Sequence, residues 1–205
     1  EEISLVKRNN IPCMLLSSDT INNEIPYVKV DDEQAIADAT SYLIDNGHKK
    51  LALVGVNPID RIAGVARIKG FKDAIVEHHL IFSENDIYNG DYSFDSAKMN
   101  MEKIIKLGLE YDGIVCASDE TALGVISACS EFGIKIPEEL SVIGYDNSIT
   151  ARMSTPLLTT VSQPFYDMGT EATNMLIHIV EEGGAVESKV VQHEIIKRQS
   201  VKNIS

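Results

Sequence analysis

The sequence predicts an α/β protein with doubly wound parallel sheets, and three features carry that expectation. Short apolar runs of the buried-strand kind alternate with segments whose apolar residues recur at helical spacing. Capping and stop residues fall between the two kinds of segment. The alternation is unbroken from residue 48 to residue 147, long enough to supply one complete layered core.

Residues 11–16 (Ile-Pro-Cys-Met-Leu-Leu) form the first candidate strand and residues 27–30 the second. Asp31 then caps a helix, with Gln34 three residues on completing a capping box. Ile36, Ala39, Thr40, Leu43 and Ile44 follow at helical spacing, and Gly47 supplies the stop. Residues 51–56 are the next strand, and Ile68, Phe71, Ala74 and Ile75 share one face of the helix after it. A strand at 87–92 precedes a helix carrying Ala97, Met101, Ile104 and Ile105. The strand at 113–117 ends at Ser118-Asp119, which is N-cap chemistry for a helix with Ala122, Val125, Ile126 and Cys129 that Gly133 closes. Residues 140–145 form another strand. After Asp146 the rhythm breaks into a polar stretch ending at Pro156-Leu157-Leu158. A short strand at 159–162, a helix with Met168, Ala172, Met175, Leu176 and Ile179, and a final strand at 189–199 complete the reading.

Composition narrows the function. Apolar residues make up 44% and charged residues 24%, an ordinary balance for a soluble domain. No run of eighteen apolar residues is present, and Glu1-Glu2-Ile3-Ser4 shows no secretory leader. The net charge of −13 repels phosphate backbones, so these residues are not expected to grip nucleic acid unaided. Cys13, Cys116 and Cys129 form no CxxC and lie in apolar runs, as expected of reduced core thiols in a cytoplasmic protein. The five histidines lack ligand spacing, so neither a metal nor a cofactor is expected. No GxGxxG, GxxxxGK[ST] or GxSxG is present, and an enzyme is not expected.

Open α/β sheets bind ligands beyond the carboxyl ends of their strands. The polar residues at those ends in the central run are Arg61 with Arg67, then Tyr92, then Ser118 and Asp119, then Asp146 and Asn147. Each alone is compatible with a cap or a surface charge; their shared location gives them weight. A carboxylate accepts two hydroxyl hydrogen bonds, a guanidinium donates two, and an aromatic ring covers an apolar face, a set that suits a sugar or nucleoside.

Several segments resemble the lactose- and galactose-repressor (LacI/GalR) family of transcription regulators. They are Val30-Asp31-Asp32-Glu33-Gln34, the stretch at 43–52, Arg67-Ile68-Lys69-Gly70-Phe71, the stretch at 117–124, and above all the run at 136–147. Pro156-Leu157-Leu158-Thr159-Thr160-Val161 and Lys197-Arg198-Gln199-Ser200 extend the likeness almost from end to end. The resemblance implies a two-lobed, periplasmic-binding-protein-like fold with a ligand cleft. It also implies a homodimer whose helix-turn-helix headpiece, preceding this chain, binds operator DNA under control of lobe closure.

Matched residue by residue, Arg67 and Asp146 stand where the family holds its effector. Arg61, Tyr92, Ser118, Gln163 and Phe165 match further cleft positions. Ser17 and Ser18 stand where the family often has an aspartate, which leaves the choice of sugar open. The chain is expected to begin inside the first lobe, leaving that lobe incomplete. Residues 1–47 with 159–185 are assigned to it, and residues 48–158 with 186–205 to the second. The dimer surface is expected at residues 121–132 and 151–156. The alternative reading is a secreted sugar-binding protein of a transport system, which shares the architecture.

Overall fold

The computed structural model describes residues 2–20, 22, 24–108 and 110–205. In chain order the elements are α1 (Glu2–Arg8), β1 (Leu15–Leu16), β2 (Tyr27–Val30), α2 (Asp32–Asp45), β3 (Leu51–Val56), α3 (Gly64–Glu77), β4 (Ile87–Asn89) and α4 (Phe94–Lys106). There follow β5 (Gly113–Cys116), α5 (Asp119–Glu131), β6 (Ser141–Asp146), β7 (Thr159–Ser162), α6 (Phe165–Glu182), β8 (Lys189–Val191) and β9 (Glu194–Ile196). This is the α/β class with parallel sheets that the sequence predicts.

The chain divides into two compact units. The smaller comprises Glu1–Asp31 and Pro164–His193. Its described residues include a three-stranded parallel sheet in the order β1-β2-β8, with α6 packed on β1 and β2.

The larger unit comprises Asp32–Gln163 and Glu194–Ser205. Its six strands run in the order β4-β3-β5-β6-β7-β9, all parallel except β9, which is antiparallel to β7. β3 and β5 are buried along their whole length, which is why they read as continuous apolar runs. One side of the sheet is covered by α4 and α5, through Met101, Ile104, Val125 and Cys129. α2 and α3 pack on one another closely enough that a Cβ on Gly70 would stand 2.0 Å from the Glu33 carbonyl oxygen. That close approach accounts for the glycine in Arg-Ile-Lys-Gly-Phe, whose Phe71 is fully buried.

Four expectations change. The unit boundaries expected after residues 47 and 158 fall after 31 and 163: α2 packs on α3, and β7 hydrogen-bonds to β6, so both belong to the larger unit. The final strand expected at 189–199 is two strands, because Lys189–Val191 pairs with β2 while Glu194–Ile196 pairs with β7. The first strand is reduced to Leu15–Leu16, since the Ile11 N–H closes the end of α1 on the Val6 carbonyl and Pro12 has no N–H to offer. The strand expected at 87–92 stops at Asn89, because the Gly90 and Tyr92 N–H groups fold back onto the Val56 and Gly55 carbonyls. Among the described residues no helix is long and apolar enough to cross a membrane.

Candidate functional site

The site is built on the carboxyl edge of the six-stranded sheet. β6 carries Tyr145, fully buried, and then Asp146, half-buried. β5 leads through Ala117 to Ser118, and α3 brings Arg67 over the same edge.

Arg67 is buried. Its Nε and one terminal nitrogen donate to Asp32 Oδ1 at 3.0 and 2.8 Å, and the other terminal nitrogen donates to the Ala117 carbonyl at 2.5 Å. The guanidinium lies 3.9 Å from the Tyr145 ring centre and 5.8 Å from that of Tyr92. Tyr145 Oη donates to the same Asp32 oxygen at 2.9 Å. Burial opposes the guanidinium charge, but Tyr145, Asp32 and Asp146 more than offset it and raise the arginine pKa further. Three of the five guanidinium N–H groups are thus engaged by the protein, and among the described residues the other two make no hydrogen bond.

Asp146 accepts a hydrogen bond from Gln163 Nε2 at 2.7 Å. Burial lifts its pKa to about 6; Arg67 and Gln163 pull it down, while the negative charges of Asp119 and Asp32 push it up. The turn that carries it is strained. Asp146 has φ 113° and Asn147 φ 54°, conformations that cost non-glycine residues about 1–3 kcal/mol each. The strained turn and the carboxylate with the raised pKa thus stand together at the end of β6.

Tyr92, Ser118 and Gln163 stand at this edge. Tyr92 Oη donates to Asp60 Oδ2 at 2.6 Å, and burial followed by Asp60 holds the phenol pKa well above its ordinary value. Ser118 is the N-cap of α5, its Oγ accepting from the Thr121 N–H at 3.1 Å and donating to the Tyr92 carbonyl at 3.2 Å. Asp119 is buried behind it. Its two oxygens take the Thr160 hydroxyl at 2.5 Å and the Ser148 N–H at 2.6 Å, and burial raises its pKa. Gly144 admits that carboxylate, since a Cβ there would lie 2.5 Å from Asp119 Oδ1.

The Arg67 donors turn to Asp32, the first residue of α2; Asp146 lies close enough for its charge to act on the guanidinium, and among the described residues no direct hydrogen bond joins the two. Arg61 is exposed in the turn before α3 and makes no hydrogen bond or ion pair among the described residues. Ser17 and Phe165 belong to the smaller unit: Ser17 is exposed with φ 52°, its N–H on the Val28 carbonyl, and Phe165 opens α6 and is 47% exposed.

Sequence reasoning missed Asp32 and Asp60. An acidic residue in the first turn of a helix reads as a partner for the helix dipole, and one in an Asn-Pro-Ile-Asp turn reads as a loop residue, so neither carries a distinguishing signal. Cys116 and Cys129 are buried, and burial pushes the Cys129 thiol up to about 12; Cys13 is half-buried.

The opposite edge of the same sheet holds a cavity of about 700 Å³, lined by Leu51, Ile104, Tyr88 and Tyr111 with Lys49 and Lys50. Its tyrosine hydroxyls bond to one another at 3.2 Å, and Tyr111 donates to Asp86 at 3.1 Å. Three of its polar side chains, Tyr88, Tyr111 and Asp86, are thus bonded to one another.

Comparison with known proteins defines the class. The profile of the periplasmic binding protein-like domain matches residues 40–201, and the chain belongs to that family. It is 37% identical over 204 residues to catabolite control protein A of Priestia megaterium, covering 98% of this chain and 61% of that protein. It is 33% identical over 213 residues to the HTH-type transcriptional repressor PurR of Klebsiella pneumoniae (strain 342), covering 96% and 62%. The chain thus spans about three fifths of the length of the curated relatives it matches. Among solved structures, a transcription regulator from Lactobacillus plantarum superposes with a TM-score of 0.93 at 28% identity, covering 98% of this chain and 77% of that one. A LacI family transcriptional regulator from Enterococcus faecium with bound ribose superposes with a TM-score of 0.86 at 25% identity, covering 98% and 74%. The chain corresponds to the effector-binding region of LacI/GalR-type regulators. The Klebsiella pneumoniae relative is named a transcriptional repressor, and both solved structures are named transcription regulators.

Proposed function

We propose that this chain is the effector-sensing part of a cytoplasmic LacI/GalR-type transcription regulator, and that its effector is a sugar or related polyhydroxylated molecule. The observation that carries this reading is the pairing, at one sheet edge, of a half-buried carboxylate with a guanidinium that keeps two N–H groups uncommitted. Asp146 accepts from vicinal hydroxyls, Arg67 donates to the next oxygen, and Tyr92 offers a ring to the apolar face of the ligand. Ser118 and Gln163 add a hydroxyl and an amide. Arg61, Ser17 and Phe165 are further proposed contacts, supported by the resemblance alone. Ribose in the Enterococcus faecium relative supports the ligand class.

The family resemblance further supports ligand-controlled lobe closure that tunes operator binding by a headpiece, and a homodimer. Phe132 at the end of α5 is 45% exposed, Met153 within the expected dimer loop is 74% exposed and Ile149 just before that loop is 65% exposed, in keeping with that interface. Titration calorimetry of pentoses, hexoses and their phosphates against the wild type and Asp146→Ala tests the reading. At least one sugar should bind, and the variant should lose roughly ten- to a hundredfold in affinity. Equal affinity for both proteins would remove Asp146 from the site.

A further inference from the structure

We propose that Arg198 is a positioning residue for the Asp146 carboxylate, acting through Asn147; the proposal rests on the assignment of Asp146 to the effector site. Two consecutive non-glycine residues with positive φ close β6, and backbone of this kind persists only where contacts over-determine it. Asn147 supplies those contacts. Its Oδ1 accepts from a terminal nitrogen of Arg198 at 2.6 Å, and its Nδ2 donates to Ser162 Oγ at 3.0 Å. The other terminal nitrogen of Arg198 donates to the Leu158 carbonyl at 2.6 Å, and the Arg198 N–H donates to Thr159 Oγ1 at 2.9 Å. The fork therefore spans from the start of β7 to the turn after β6.

Arg198 makes no ion pair among the described residues. A part-buried guanidinium directed at a carboxamide and a carbonyl serves through its rigid donor geometry, which a flexible ammonium could not reproduce. On the far side of the turn, the Ser148 N–H is tied to Asp119 at 2.6 Å. Asp146 itself is bonded by Gln163 on β7's continuation, so releasing Asn147 leaves the carboxylate attached at one side only.

With the turn held, Asp146 remains against the protein, where burial keeps its pKa near 6. Freed, the carboxylate swings into water and titrates at its ordinary 3.8. Carbon-13 NMR of the aspartate carboxyls across pH, on the 205-residue chain without any ligand, reads this directly. Arg198→Met removes the fork. Asn147→Gly removes the carboxamide while keeping a residue at ease with positive φ, so it separates the hydrogen bonds from the backbone preference. Both variants should bring the Asp146 midpoint down from about 6 toward 3.8. An unchanged midpoint in Asn147→Gly overturns the proposal, even if thermal stability falls, because that pattern denotes a purely structural contact. Should Arg198→Met fail to fold, Asn147→Gly decides alone. Failure of Asp146→Ala to weaken sugar binding would overturn the site assignment instead, and would leave this titration standing.

Discussion

Arg67 and Asp146 lie at one sheet edge but obey different rules. Arg67 is buried with Asp32 and Tyr145, so removing it leaves a buried carboxylate without its charged partner. Arg67→Met should destabilise the fold by about 3–5 kcal/mol, read as a drop in thermal midpoint of roughly 6–20 °C. Asp146 behaves oppositely. Its folded pKa of about 6 lies above its ordinary 3.8, so the fold favours the protonated acid. Stability from this group is complete below pH 3.8 and is lost as pH rises through 6, by at most about 3 kcal/mol. Asp146→Asn should therefore be more heat-stable than the wild type at pH 7.5, and the stability difference should vanish near pH 4. The groups facing this carboxylate are Arg67, Gln163, Asp119 and Asp32, and none of the last three neutralises it. Sugar affinity should fall as pH drops below 6, where the acceptor becomes an acid. Calorimetry at pH 5 and 7.5 checks this; equal affinities would contradict a carboxylate role. The positions of Tyr92, Ser118 and Asp146 at this edge were legible because they stand at or just after strand ends. The partner of Arg67 was not, since nothing in Val30-Asp31-Asp32 says which aspartate turns inward.

Helices and strands explain which parts of the chain tolerate change. α2 and α3 meet at Gly70, where a Cβ would stand 2.0 Å from a backbone oxygen that cannot move aside cheaply. Gly70→Ala should cost about 1–3 kcal/mol or more, despite its better helix propensity; urea unfolding measures it, and a stabilised variant would show that the helices part freely. The elements of the larger unit were readable because a buried parallel strand and an amphipathic helix have distinct periods, as in Leu51–Val56 and Gly64–Glu77. The ends were not. Lys189–Val191 and Glu194–Ile196 share one continuous β-like pattern, and only their pairing, one with β2 and one with β7, separates them. β4 is cut short where its register with β3 shifts and the Tyr92 N–H turns back to the Gly55 carbonyl, a tertiary cause that no local pattern records.

At the scale of the whole molecule, family and fold follow from the ordered motifs, while the boundary between units depends on packing the sequence does not display. The proposed dimer carries its own test. Static light scattering on the 205-residue chain at micromolar concentration should give twice the monomer mass of 22.5 kDa, and Phe132→Glu should shift it toward monomer. A monodisperse monomer in the wild type would refute that interface. The central claim is that the carboxyl edge of the six-stranded sheet takes the effector, and amide chemical-shift mapping with a bound sugar addresses it most directly. The shifts should gather on Tyr92, Ser118, Asp146, Asn147 and Gln163. Shifts confined to the other edge, at Leu51, Tyr88, Ile104 and Tyr111 around the 700 Å³ cavity, would contradict it.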